Sequence, residues 1–162
     1  MMREFTRLML SAYPKLPRVI EGVNRVINES ALRSFYEQSG AFGLAERLVR
    51  KIQLRNALAG LLQDMEGATK SLTKEERAII KGRYFCIAPI PVKGEYPFSK
   101  TTYYRRLKKA VHKVETFLRE CESEQKYYAA GLHKTTFFRY LSGHIKDARR
   151  KITEREGEKR LT

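Results

Sequence analysis

Apolar residues recur every three or four positions through most of this chain, which is the period of an α-helix. Pro17 suits an early helical position, and Val19, Ile20, Val23, Val26 and Ile27 then follow at helical spacing, predicting a helix to about Tyr36. Ser39, Gly40 and Gly43 mark a break. A longer helix is expected over 41–65, with Ala45, Leu48, Ile52, Ala59 and Leu62 along one side. Leu54, Leu58, Leu61 and Met65 widen that stripe. Neither helix can bury its face alone, so the pair predicts an antiparallel hairpin over 1–68, with dimerisation as one use for the wide stripe. Residues before Lys15 carry a mixed pattern and are expected to attach loosely.

Gly67 reads as the start of a linker. Thr73 followed by Glu76 is a capping box, and the helix it opens runs through Ala78, Ile79 and Ile80 to Tyr84 or Phe85. Pro89, Pro91, Gly94 and Pro97 make the next stretch irregular. Ser99 caps a helix expected over 100–119. Beyond it, two helices are predicted over 123–130 and 134–151 about a turn at Gly131-Leu132, with Gly143 a weak point in the second. The charged residues 154–162 should fray. The fold class is therefore all-α: an N-terminal helical hairpin (1–68) followed by helix-turn-helix units at 72–120 and 121–153.

Charge sharpens this picture. The 162 residues carry a formal net charge of +15, of which +4 lies in the first 72 residues and +11 in the rest. The stretch SKTTYYRRLKKAV (99–111) concentrates it, and no acidic residue occurs between Ser99 and Val114. An ordinary solvated helix mixes signs to gain pairs four residues apart. Tyr103, Leu107, Val111 and Val114 should face the core, with Ala110 beside them. Lys100, Thr101, Thr102, Tyr104 and Arg105 then occupy the side away from it in the first turns, the part of a recognition helix that meets base edges. Arg106, Lys108, Lys109 and Lys113 suit phosphates, and the free amides behind Ser99 add a further phosphate site. The alternative is a lysine-rich surface helix whose tyrosines simply pack.

A weaker copy, HKTTFFRYLSGHI (133–145), follows 34 residues later. Its apolar set would be Phe137, Leu141 and Ile145, and its reading set Lys134, Thr135, Thr136, Phe138 and Arg139. Two tandem DNA-contacting units follow if the match holds; otherwise the last helices complete the core of one domain.

The segment LTKEERAIIKGRYF (72–85), a connector and then SKTTYYRRLKKAV (99–111) resemble the fourth region of sigma factors, and more closely the phage late-transcription regulators of the ArpU and RinA families. That resemblance implies promoter DNA as ligand and transcription activation in phages, prophages or related mobile elements of low-GC bacteria. Two features depart from it. Four residues of proline and glycine occupy the place of the usual second helix, and the unit after Glu120 is additional. That extra unit could be the DNA-binding module, leaving the sigma-like part to meet RNA polymerase.

Candidate chemistry is otherwise sparse. Cys86 and Cys121 lack ligand spacing, three histidines are scattered, and Asp64 and Glu66 do not face together on a helix. No metal site, cofactor or enzymatic activity is expected. The start does not look like a signal peptide and no apolar run could span a membrane, so a cytoplasmic protein with reduced thiols is expected. The partner predicted is double-stranded DNA, with RNA polymerase and a second copy of the chain as further expectations. The function predicted is a sequence-specific transcription regulator. The alternatives are a DNA-binding accessory protein for recombination, plasmid maintenance or packaging, and an RNA-binding or purely structural protein.

Overall fold

Phe5, Leu8, Met9 and Ala12 repeat at intervals of three, one and three, and in the structure they form the inner face of a first helix, α1 (Glu4–Ala12). Met9, Leu10 and Ala12 are fully enclosed. The expectation of a loosely attached N-terminus is thus corrected: α1 packs against the body, because a short amphipathic helix of about two and a half turns buries enough surface when Lys81–Phe85, Lys100–Glu120 and Thr136–Leu161 surround it. The computed structural model describes residues 3–36, 41–85 and 98–161. The prolines and Gly94 of the connector, Cys86, and the break at Ser39-Gly40 lie outside them.

A short 3₁₀ turn (Tyr13–Lys15) leads into α2 (Leu16–Tyr36), and α3 spans Ala41–Lys70. These two helices lie along each other, tied by a 2.9 Å hydrogen bond from Lys51 Nζ to Ser30 Oγ. After α4 (Lys74–Ile80) comes a π turn, Lys81–Phe85. The basic helix is α5 (Lys100–Glu120), followed by α6 (Ser123–Ala129), a 3₁₀ turn (Leu132–Lys134) and α7 (Thr136–Leu161). Among the described residues every regular element is helical, giving an all-α multi-helix bundle. The capping box of α4 forms as expected: Thr73 Oγ1 accepts from the Glu76 amide at 3.2 Å, and Glu76 Oε2 accepts from the Thr73 amide at 3.0 Å.

One contiguous core joins α1, the C-terminal half of α3, α4, α5, α6 and α7. On α3 the buried residues are Leu58, Leu61, Met65 and Ala68, whereas Ala45 and Ala59 are exposed. Leu58, Leu61 and Met65, expected to widen the stripe, carry the core, while Leu48, Ile52 and Leu62 of the leading side are half-buried. Lys51 in the first half of α3 bonds Ser30 of α2, while Asp64 and Gly67 in its second half meet Ser123 of α6 and Phe117 of α5, so the buried face is set by partners that the local pattern does not name.

Gly67 is also corrected. It sits inside α3, which continues to Lys70. A methyl group added there would lie 2.6 Å from Phe117 Cζ of α5. The glycine is present because an aromatic ring occupies the space a side chain would need. We expect Gly67→Ala to destabilise the wild-type protein by about 1 kcal/mol in urea denaturation, overpacking outweighing the gain in helix propensity. In a Phe117→Ala background the same change should become stabilising; an unchanged sign would refute the steric account.

Candidate nucleic-acid interface

Helix α5 is oriented by its apolar side. Tyr103, Leu107, Ala110, Val111, Val114 and Leu118 are all buried against α3, α4 and α1. Ser99 caps it as expected, its hydroxyl accepting from the Thr102 amide at 3.3 Å and donating to Thr102 Oγ1 at 3.0 Å. Lys100, Thr101, Tyr104, Arg105, Lys108 and Lys109 are exposed, and Thr102 is half-buried. Tyr104 stands edge-on to Tyr103, with ring centroids 5.3 Å apart. The solvent side of α5 thus presents four cations, a hydroxyl and a phenol from one rigid element, the chemistry that suits base edges and phosphates.

Two expected phosphate ligands are already engaged. Arg106 pairs with Glu75, and its guanidinium lies 4.5 Å over the Phe98 ring. Lys113 Nζ lies 2.7 Å from Glu76 Oε1. The part of α5 up to Val114 is free of acid in sequence but not in space, because α4 supplies the carboxylates. Burial raises the Glu76 carboxyl, yet the hydrogen bond from Lys113 and the Thr73 amide outweigh it, so the group rests below its ordinary value. Between α4 and α5 a cleft of about 520 Å³ is bordered by Glu75, Glu76, Ile79, Arg105, Arg106 and Lys109. Arg105 and Lys109 line it without a charged partner among the described residues.

The second basic segment differs in register. Gly131 takes the left-handed conformation (φ +70°) that closes the turn after α6, where a side chain would be strained. Lys134 belongs to the 3₁₀ turn, and α7 starts at Thr136, two residues after the expected start. Thr135 is extended; its carbonyl accepts the Arg139 amide at 3.0 Å and its hydroxyl donates back to Leu132 O at 2.6 Å. Lys134, Thr136 and Arg139 are exposed, and Thr135 is half-buried.

Phe138 does not belong to this surface. It is 1% exposed and meets Tyr127 edge-on at 5.0 Å, while Phe137 is only half-buried. Phe138, expected among the reading residues, is in the core, and Phe137, expected in the apolar set, packs against that core half-buried. Spacing could not decide between them, since 137, 141 and 145 and 138, 141 and 145 both follow a helical face. The Tyr127 ring and Leu132 around the second position decide it. Tyr140 is the residue sequence reasoning missed: it is 66% exposed and stacks on His144 with centroids 5.6 Å apart. The signal was an aromatic pair four residues apart on the side away from Leu141.

Other groups are occupied structurally. Asp64 accepts from Ser123 Oγ at 2.7 Å and pairs with Lys126, fastening α6 to α3. Burial pushes the Cys121 thiol up, and it pushes the Tyr127 phenol up to about 12, so neither is activated. Among the described residues no cluster of His, Cys, Asp or Glu could hold a metal, and no helix is long and apolar enough to cross a membrane.

The fold and this surface define a class no narrower than an all-α bundle with a cation-rich helix on its exterior. No family model, curated protein or solved structure matches the chain.

Proposed function

We propose that the protein is a sequence-specific DNA-binding transcription regulator, an activator of the phage or mobile-element kind, acting in the cytoplasm on double-stranded DNA. The observation that carries this reading is the division of α5: six apolar side chains fix it in the core, while Lys100, Thr101, Tyr104, Arg105, Lys108 and Lys109 remain in solvent. A helix held this way presents a rigid row of donors to a major groove. Helix α4 packs across α5 as the supporting element of a sigma-like helix-turn-helix. Lys134, Thr136 and Arg139, joined by Tyr140, form a second contact on α7. Helices α2 and α3 act as an antiparallel hairpin for pairing with a second copy, and RNA polymerase is the partner in activation.

The test compares Arg105→Ala with Lys109→Ala on the site found by genome-wide footprinting and on unrelated duplex. Loss of a bidentate arginine–guanine contact should cost about 1–3 kcal/mol on the specific site and relax the base preference there. Lys109→Ala should weaken both duplexes alike. If Arg105→Ala also weakens both equally, its base-reading role is wrong.

A further inference from the structure

Two adjacent arginines of α5 have different surroundings. Arg105 is exposed and no charged partner is described for it, whereas Arg106 is held from two directions, by the Glu75 carboxylate and by the Phe98 ring. Glu75 comes from the first turn of α4, is 55% exposed, and takes no part in the capping box, whose bonds belong to Thr73 and Glu76. A structural explanation of Glu75 is therefore thin, because an exposed ion pair adds little to stability. Its position is more informative. Glu75 lies on the wall of the cleft facing Arg105, Arg106 and Lys109, beside the cations that would meet a phosphate backbone.

We propose that Glu75 is a specificity determinant, an internal competitor that keeps Arg106 from DNA phosphates. The inference rests on the DNA-binding reading above. Phosphate contacts supply affinity to any sequence and carry no base information. A loosely held, sequence-independent complex can shift to use every cation that is free. A complex fixed by base contacts has less freedom to do so. Tying one arginine to a carboxylate of the same molecule therefore lowers indiscriminate binding more than specific binding. The Phe98 ring keeps the guanidinium in place while the carboxylate holds its charge.

The experiment measures binding of the full chain to an unrelated duplex over a series of salt concentrations. Wild type is compared with Glu75→Gln, Arg106→Gln and the double variant, after thermal melts show each is folded. Glu75→Gln should tighten unrelated-duplex binding about two- to fivefold at low salt and steepen the slope of log K against log salt by about 0.9, the contribution of one phosphate contact. The gain on the specific site should be smaller. Arg106→Gln alone should leave the slope unchanged, and adding Glu75→Gln to it should give no increase. If the increase persists without Arg106, Glu75 acts only by repelling phosphate and the proposal is overturned. A wild-type protein that binds with a steep slope, with Glu75→Gln indistinguishable from it, overturns this inference alone. A wild-type protein that binds no duplex at low salt overturns the DNA-binding reading as well.

Discussion

Phe138→Ala should lower the unfolding free energy by about 3–5 kcal/mol, the usual cost of removing a fully enclosed phenylalanine. Phe137→Ala, at a half-buried position, should cost clearly less. The contrast follows from a chain of rings. Phe138 stands edge-on to Tyr127 at 5.0 Å, and Tyr127 in turn meets Phe5 at 5.4 Å. Emptying position 138 thus loosens α7, α6 and α1 together, since edge-to-face pairs add to the area each ring buries. Urea denaturation read by circular dichroism measures both variants. A larger loss for Phe137→Ala would mean that the α7 register described here is wrong.

The same pair shows how far the sequence carries. Helix α5 could be oriented residue by residue, because Tyr103, Leu107, Ala110, Val111 and Val114 repeat over three turns and all five are buried. On α7 the pattern is short, with Leu141 and Ile145 compatible with either ring, so packing partners had to choose. On α3 the apolar residues surround most of the helix, and only its neighbours distinguish Leu58, Leu61 and Met65 from Ala45 and Ala59. Gly67 looked like an end because glycine often is one; its real cause, the Phe117 ring, lies 50 residues away. Helix α1 was the avoidable miss, since Phe5, Leu8, Met9 and Ala12 already carry the helical period. The candidate interface follows the same rule. Its exposed cations were legible from charge and period, but the partners of Arg106 and Lys113 were not, because Glu75 and Glu76 reach α5 only after the chain has folded back.

Replacing Lys100, Arg105, Lys108 and Lys109 together by alanine should have the largest effect on DNA binding. On an unrelated duplex, where Lys100 and Arg105 have no base to read, all four cations can meet phosphates; each contributes about −0.9 to the slope of log K against log salt, so four account for about −3.6. Between 50 and 200 mM salt that share alone corresponds to a loss of roughly 10²-fold in affinity, which the variant should no longer show. Its remaining slope would report α7, through Lys134 and Arg139. The fold should survive, because all four side chains are exposed and alanine favours helix at each position. Removing Arg106 and Lys113 is the informative contrast. Those side chains are already neutralised by α4, so their loss should leave the slope nearly as it was, although removing Lys113 takes the ion-pair partner from the buried Glu76 carboxylate. A fourfold variant that keeps the wild-type salt dependence would show that α5 does not lie on DNA, and would move the interface to α7 or remove it altogether.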